Sequence, residues 1–364
     1  MTPFPAHAQH LDCLQANLAL LADRHHGTGT HTRLGAVLRC APRPLTGGPL
    51  AGLLTVEPTL DQQLTDATAV LGLDVTDRRP PAPGEVPDTA DGPLYVVADA
   101  YHLPWVPYHG TKHVEHSFLV DDDGGDTLLI SDAYHNDTQW GRARPLQLPH
   151  ARDDFAALLK TLPDGAETVR FTPRPLGAPP EPGYVPGPPP EYLRGYAEHP
   201  DRRAALEAFT LETWLLARAR RLHAAHLEEQ RGAALPEPVR EHLQRWDGLV
   251  EHAYLAFRRV DRGRAEPPGL FERAAEVLAG DSVAFGAGAA VREVVASVLQ
   301  IAEKDLGEGD LTFHPEFNSI RMVEVVEILE ERFAVEFDPA DLVPENLQSV
   351  AGLCALLNRA LDPA

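Results

Sequence analysis

The chain has 364 residues, of which 54 are acidic and 32 are basic, so its formal net charge is −22 at pH 7. This charge argues against nucleic acid or an anionic membrane surface as the main partner, because both are polyanions that would repel the chain. The composition, with 43% hydrophobic and 24% charged residues, is that of a globular protein. At about 100–200 residues per domain, the length predicts two or three domains.

No apolar run approaches the ~20 residues needed to cross a bilayer. The first twelve residues, MTPFPAHAQHLD, lack the basic and apolar regions of a signal peptide, so we expect a cytoplasmic protein. The three cysteines, Cys13, Cys40 and Cys354, are too widely spaced for a disulfide framework or a zinc site. Cys40 and Cys354 are interpreted as packing residues, which leaves Cys13 as the candidate nucleophile.

The first part of the chain mixes helical and strand patterns. Leucines recur at helical spacing at positions 11, 14, 18 and 21, and residues 61–71 predict a second helix. Short apolar runs bounded by turn residues then follow at 94–101, 116–120 and 127–131. The segment DDDGGD at 121–126 joins the last two as a hairpin turn, because acidic and glycine residues tolerate positive φ. The pattern predicts a helix followed by an antiparallel sheet.

A proline-rich segment divides the chain at residues 173–190, where nine of eighteen residues are proline. Such a segment forms neither a helix nor an inner strand and is expected to be a linker or a surface strap. Weaker breaks are expected at 78–93 and 280–288, and residues 191–279 are rich in helix formers. The predicted segments are an α+β domain at 1–172, the linker at 173–190, a helical region at 191–285 and a C-terminal domain at 289–364.

The middle helices carry many arginines among glutamates. This mixture is typical of a solvated, ion-paired face, and the alternative is a docking face for the acidic C-terminal domain. The arginines are Arg218, Arg220, Arg221, Arg258, Arg259, Arg262 and Arg264.

The C-terminal domain differs from the rest in charge, with fifteen acidic and five basic residues from Arg292 onward. Apolar residues at helical spacing predict a small all-α bundle with one apolar face per helix. They are Val291, Val294, Val298 and Ile301 in one helix and Met322, Val326, Leu329 and Phe333 in the next. Ser319 would lie at the start of the second helix, where it or Asn318 could serve only as the helix cap.

The segment from Val291 to Leu361 resembles an acyl or peptidyl carrier protein. The resemblance rests on Phe317-Asn318-Ser319-Ile320, on the acidic helix ending LEERF, and on the closing pairs Asp341-Leu342, Glu345-Asn346 and Ser349-Val350. It implies that Ser319 carries 4′-phosphopantetheine, attached by a phosphopantetheinyl transferase. The family usually has Asp before this serine and Leu after it, whereas this chain has Asn318 and Ile320. The missing charge is expected to weaken recognition by the attaching enzyme.

Cys13, His116 and Asp132 can assemble into a catalytic set if the helix after Cys13 packs against the hairpin. His116 immediately precedes one strand, and Asp132 ends the next, which antiparallel pairing brings back beside it. His116 would draw the thiol proton and Asp132 would hold the imidazole in the useful tautomer. A helix N-terminus and an imidazolium beside the thiol are expected to favour the thiolate. His113 is an alternative base.

The region of residues 8–150 resembles the N-terminal domain of the butirosin biosynthesis acyltransferase family. The resemblance rests on Cys13 followed by an apolar helix, on the segment YHLPW at 101–105, on Lys112, His113 and His116, and on Asp132. It implies a papain-like cysteine fold that moves an aminoacyl group from a carrier thioester to an amine. The fold class expected for the chain is therefore an α+β papain-like cysteine acyltransferase domain, a helical middle region that completes it, and an all-α carrier-protein bundle.

Three further groups of side chains have both a functional and a structural interpretation. Gln9 and the backbone N–H of Cys13 are candidates for an oxyanion hole. Trp105, Tyr108 and Tyr101 line a substrate tunnel or belong to the core. The histidines near the first helix crowd together but lack metal-ligand spacing, so no metal site is expected. They are His7, His10, His25, His26 and His31.

Together the two resemblances imply an enzyme of antibiotic or other natural-product biosynthesis that forms an amide bond. An acyl or aminoacyl group would move from the arm on Ser319 to Cys13 and then to a small-molecule amine. No glycine-rich phosphate loop is found, so an adenylating enzyme is expected to load the carrier in trans. The alternatives are a thioesterase or peptidase with the same triad, and a non-catalytic scaffold in which Cys13 is buried.

Overall fold

The structure is a computed structural model. The residues that it describes are 3–82, 84, 89, 92–122, 125–180, 182–185, 187–235, 237–302, 306, 310–333 and 335–361. The helices are α1 (Gln15–His26), α2 (Leu60–Leu71), α3 (Arg152–Leu159), α4 (Pro190–Glu198), α5 (Arg202–Arg231), α6 (Glu237–Asp261), α7 (Leu270–Phe285), α8 (Ala287–Leu299), α9 (Ser319–Phe333), α10 (Pro344–Leu347) and α11 (Val350–Leu361). The strands are β1 (Val37–Leu38), β2 (Arg43–Pro44), β3 (Leu54–Thr55), β4 (Leu73–Arg79), β5 (Leu94–Asp99), β6 (Glu115–Asp122), β7 (Thr127–Asp132), β8 (Asn136–Thr138), β9 (Gly141–Ala143), β10 (Leu146–Ala151), β11 (Glu167–Pro173) and β12 (Gly183–Tyr184).

The chain divides into two compact units. Its architecture is mixed α/β. The first unit comprises residues 1–37, 57–182 and 218–232. The second comprises residues 38–56, 183–217 and 233–364. Helix α5 supplies residues to both units.

The first unit is built on a six-stranded antiparallel sheet with the strand order β10-β7-β6-β5-β11-β4. Strands β6 and β7 form the predicted hairpin, in which Leu119 pairs with Ser131 and Asp122 with Leu128. Leu18 of α1 is fully buried in one apolar core with Tyr95 and Leu119 of the sheet. The predicted helix packed on an antiparallel sheet is therefore confirmed.

Helix α1 begins after a cap that fixes the position of Cys13. One Asp12 carboxylate oxygen accepts the backbone N–H groups of Leu14 and Gln15, both at 2.8 Å. The other accepts the Gln63 side-chain amide of α2 at 2.7 Å. Two of the four leucines that predicted the helix, at positions 11 and 14, precede its first residue.

The proline-rich segment acts as a strap over its first half. The Arg174 N–H donates to the Gly72 carbonyl at 2.9 Å, and the Arg33 guanidinium donates to the Gly177 carbonyl at 2.9 Å. Farther along, the Val185 N–H donates to the Leu38 carbonyl at 2.8 Å. Between the end of β11 at Pro173 and the start of α4 at Pro190, the described residues form the two-residue strand β12, and the prolines disfavour longer elements.

The second unit contains α4, the first part of α5, α6 and α7 around a core that includes Trp246 and Phe209. The break expected at 280–288 separates two helices as predicted but is confined to Gly286, because α7 continues to Phe285 and α8 begins at Ala287. Its glycine at 280 accommodates the His242 ring, and Asp281 accepts hydrogen bonds from His242 at 2.8 Å and from Trp246 at 2.9 Å. Over the described residues, no single helix is long and apolar enough to span a bilayer; α7 with Ala290–Leu299 reaches that length only as a pair bent by 48°.

Helices α8, α9 and α11 form the C-terminal bundle that the apolar spacing predicted. Val291, Val294 and Val298 of α8 are buried with Met322 and Leu329 of α9. Ile301 lies just beyond α8 and is partly buried against the same core. The side chain of Glu330 accepts the Phe337 N–H at 2.7 Å and so holds the chain that leaves α9.

Candidate functional site

Cys13 lies on the turn before α1 and is brought to the start of β6. Its Sγ donates to the Glu115 carbonyl at 3.2 Å, and the Ser117 hydroxyl donates to the Cys13 carbonyl at 2.7 Å. These two contacts hold Cys13 against the backbone on both sides of His116. The thiol is partly exposed, whereas the imidazole is fully buried.

His116 and Asp132 form a buried pair. His116 Nε2 lies 2.7 Å from Asp132 Oδ2, and neither side chain is more than 4% exposed. Because a carboxylate only accepts, the ring proton is on Nε2 and Nδ1 carries the lone pair. This Nδ1 is buried and has no hydrogen-bond partner in the described part of the chain. An unpartnered buried nitrogen requires an explanation, and a base that receives a proton during a reaction is one.

Asp132 is held by two other residues. The indole N–H of Trp105 donates to its Oδ2 at 3.2 Å, and the backbone N–H of Tyr134 donates to its Oδ1 at 3.0 Å. Trp105 therefore orients the carboxylate, a role that its sequence position alone did not indicate. Its ring also packs edge-on against Phe118 of β6.

His113, the alternative base, has a different environment. Its side chain is 71% exposed, and its Nδ1 lies 2.5 Å from Asp99 Oδ2. The ring stacks on Tyr101 with centroids 4.3 Å apart. His113 is thus paired with its own carboxylate at the surface, and the contacts of Cys13 run to the residues beside His116 instead.

Asn17 joins α1 to both strands of the hairpin. Its amide nitrogen donates to the Ser117 carbonyl at 2.7 Å, and its oxygen accepts the Ala133 N–H at 2.9 Å. Asn17 is fully buried. In the sequence, the signal of this role was a polar residue within a leucine-rich helix. Asn17 fixes Cys13 relative to the ends of the strands that carry His116 and Asp132.

The expectation that Cys13 rests as a thiolate is wrong. Burial raises the pKa of its thiol well above the usual value, and the carboxylates of Asp12, Asp132, Glu57 and Glu115 raise it further. The helix N-terminus does not overcome these effects. The resting side chain is a thiol, and its proton has to leave during attack.

This shift predicts the pH dependence of Cys13 alkylation. The thiolate is the reactive form, so alkylation by iodoacetamide should be slow at neutral pH and rise about tenfold per pH unit through about pH 9. Peptide mass spectrometry would separate Cys13 from Cys354, whose pKa burial raises to about 11. A rate that levels off below about pH 8 would instead show a stabilised thiolate.

Gln9 and His10 lie on the short 3₁₀ helix Ala8–His10 that precedes Cys13 in the chain. Gln9 is exposed, and its amide lies 3.5 Å from His10 Nε2, so its oxyanion role stays a prediction. His31 is fully buried between Asp23 at 2.8 Å and His7 at 3.1 Å. No group of three side chains suited to a metal ion is found in the described residues.

Of the arginines expected on a solvated face, Arg220 is buried and Arg218 is partly buried. Arg220 is 1% exposed. Arg218 donates to the carbonyls of Leu11 at 2.6 Å and His135 at 2.9 Å and to the side-chain oxygen of Asn136 at 3.2 Å. Desolvation lowers the pKa of Arg218. The expectation of a solvated face is therefore wrong for these two residues, which lie in the part of α5 that belongs to the first unit.

Ser319 is the first residue of α9 and is exposed. Asn318 caps the helix: its side-chain oxygen accepts the N–H groups of Ile320 at 3.1 Å and Arg321 at 3.0 Å. The cap therefore does not use the Ser319 hydroxyl. Ser349, by contrast, uses its hydroxyl to cap α11 at Gly352. Exposure and a hydroxyl outside the cap fit Ser319 as the residue that carries 4′-phosphopantetheine.

The uncharged cap predicts how arm attachment responds to substitution. Asn318→Asp should keep the cap, because both side chains present an acceptor oxygen, and should raise the rate of arm attachment if a charge is recognised. Asn318→Ala should destabilise the helix by about 1 kcal/mol. The attachment rate is measured as coenzyme A-dependent mass gain, and the change in stability is measured by thermal unfolding. An unchanged rate in Asn318→Asp would show that the charge is not a recognition element.

Residues 289–357 match the sequence family described as the phosphopantetheine attachment site. The match covers about a fifth of the chain and includes α9 with Ser319. This C-terminal segment is a carrier domain, in which 4′-phosphopantetheine is attached to a serine, and the protein takes part in a phosphopantetheine-dependent pathway. A carrier domain requires a phosphopantetheinyl transferase and an enzyme that loads the arm. No curated protein matches the chain.

Proposed function

We propose that the first unit is a papain-like cysteine acyltransferase served by a carrier domain. It moves an acyl or aminoacyl group from the phosphopantetheine thioester through Cys13 to an amine acceptor and so forms an amide in natural-product biosynthesis. The observation that carries this proposal is the buried His116–Asp132 pair, 2.7 Å apart, next to the residue whose carbonyl holds the Cys13 thiol. The likeness of residues 8–150 to the butirosin acyltransferase family supports it.

When bound, the arm would supply an activated thioester. Side chains of the first unit supply the nucleophile and transfer the protons. Cys13 Sγ attacks the thioester carbonyl while His116 Nδ1 accepts the thiol proton. This attack gives a tetrahedral centre, and His116 then returns its proton to the thioester sulfur as that sulfur leaves the acyl carbon. Asp132 stabilises the imidazolium between these two proton transfers.

The second half transfers the acyl group to nitrogen. The acceptor amine attacks the acyl carbon on Cys13, and the carbon–nitrogen bond forms as the bond to Sγ breaks. His116 removes the proton from the amine and gives it to Sγ, which restores the resting thiol. Water in place of the amine would give hydrolysis, so the partition between product amide and free acid in assays with and without amines separates the two activities.

The test compares the two histidines. His116→Ala should slow transfer from the loaded carrier by ~10²–10⁴, the usual contribution of a positioned acid and base. His113→Ala is the matched control, because its imidazole is exposed and paired with Asp99, and should cost much less. Transfer is followed by the mass of the product amide. A larger loss in His113→Ala than in His116→Ala would reject the assignment of the base.

A further inference from the structure

A chain of hydrogen bonds leads from a partly buried cation to two phenols beside the candidate site. The Arg218 guanidinium donates to the side-chain oxygen of Asn136 at 3.2 Å. The Asn136 amide nitrogen donates to the Tyr134 hydroxyl at 2.8 Å, and the hydroxyls of Tyr134 and Tyr108 lie 3.2 Å apart. Tyr108 and Tyr134 are both buried, at 8% and 4% exposure.

The donors in this chain can be assigned from chemistry. Arg218 only donates, so the oxygen of Asn136 faces it and the nitrogen faces Tyr134. Having accepted that bond, Tyr134 donates its own hydrogen to Tyr108, since hydrogen bonds that run in one direction strengthen one another. Tyr108 also has a side-chain hydrogen bond with Asn136 that lowers its pKa, as a bond accepted by the phenol oxygen does. Tyr108 thus accepts from both neighbours, and its own hydrogen is the last in the chain. A buried hydroxyl hydrogen left over in this way is a donor for a ligand.

Arg218 at one end of the chain and Tyr134 within it contact residues of the candidate site. Arg218 also donates to the Leu11 carbonyl, two residues before Cys13, at 2.6 Å. The Tyr134 ring packs edge-on against His116, with centroids 5.3 Å apart, and its backbone N–H binds Asp132. A charge on Cys13 is among the causes that raise the pKa of Tyr108, after burial, so the phenol stays protonated and able to donate.

We propose that the Tyr108 hydroxyl donates a hydrogen bond to the acyl oxygen when that group is transferred through Cys13. The proposal rests on the acyl transfer proposed above. Attack by Sγ converts the carbonyl carbon to a tetrahedral centre and moves negative charge onto its oxygen, and a donor already in place stabilises that charge. Arg218, acting through Asn136 and Tyr134, is a positioning residue that polarises the phenol. Tyr108 thus has the oxyanion role that the sequence suggested for Gln9.

The test compares two reactions of Cys13 that differ in whether an oxyanion forms. Acetylation by the N-acetylcysteamine thioester of acetate, a mimic of the arm, passes through a tetrahedral oxyanion. Alkylation by iodoacetamide displaces iodide at a CH₂ carbon and forms none. Tyr108→Phe should lower the acetylation rate ~10²–10³-fold, the usual cost of one oxyanion donor, and leave alkylation unchanged. Both rates are read on the Cys13 peptide by mass spectrometry.

Matched variants make the outcome specific. Tyr95→Phe also removes a buried phenol hydroxyl of the first unit, one that donates to the Leu14 carbonyl at 3.1 Å, and should leave the ratio of acetylation to alkylation unchanged. If Tyr108→Phe fails to fold, Asn136→Asp replaces it. Its carboxylate still accepts from Arg218 but cannot donate to Tyr134, so the ratio must fall.

The contradicting results are distinct. An unchanged ratio in Tyr108→Phe, or a fall in Gln9→Ala alone, would overturn the role of Tyr108 and leave the proposed acyl transfer intact. Wild-type protein whose Cys13 is alkylated but never acetylated would instead reject the acyl transfer itself, and the role of Tyr108 with it.

Discussion

Ser319→Ala is expected to abolish attachment of 4′-phosphopantetheine. The exposed Ser319 hydroxyl at the start of α9 is the nucleophile that the arm requires, and alanine removes it without removing the Asn318 cap. The helix should therefore remain folded, which circular dichroism would verify. Intact mass after incubation with coenzyme A and a promiscuous phosphopantetheinyl transferase should show one arm on the wild type and none on the variant.

Ser297→Ala is the matched control for this experiment. Ser297 is an exposed serine of the same domain, within the matched segment, and lies in the last turn of α8. The variant should accept one arm like the wild type. An arm on Ser319→Ala, or its loss in Ser297→Ala, would show that a different serine carries the group.

Cys13→Ala is expected to stop acyl transfer completely and leave carrier loading intact. The variant lacks the only atom proposed to receive the acyl group, while the carrier domain is unchanged. The acyl group should then accumulate on Ser319, and no amide should form beyond the rate of the uncatalysed reaction of thioester with amine. The measurement is the mass of the loaded protein and of the product over time.

The other two cysteines provide the controls. Cys40 is buried in the helical core of the second unit, and Cys354 packs against the core of the carrier bundle. Cys40→Ala and Cys354→Ala should keep transfer, with at most a change in stability. Transfer that survives in Cys13→Ala would favour the non-catalytic interpretation of this residue.

Local patterns explain why the hairpin and the carrier bundle were predictable. The runs at 116–120 and 127–131 flank a turn of acidic and glycine residues, so neighbouring residues alone determine their pairing. That pairing places Asp132 near His116, as the structure has it at 2.7 Å. The bundle was equally predictable, because the spacing of apolar residues within each helix is enough to predict its buried face.

Properties that depend on distant residues were not predictable. Arg218 lies more than 200 residues from Leu11, whose carbonyl it binds, and nothing near it in the sequence distinguished it from a surface arginine. The direction expected for the shift of the Cys13 pKa was wrong for the same reason. The helix end that favours a thiolate is local, whereas burial and the carboxylates of Glu57, Glu115 and Asp132 come from tertiary structure.

The most direct test of the proposed function follows the acyl group itself on the wild-type protein. The carrier is loaded with an isotope-labelled acyl group, an amine is added, and the peptides containing Ser319 and Cys13 are quantified at successive times by mass spectrometry. The label should leave Ser319, appear transiently on Cys13, and then appear in the amide, with His116→Ala delaying the first step. Label that passes from Ser319 to the amide or to water at the wild-type rate without ever appearing on Cys13, and equally in Cys13→Ala, would contradict the proposal.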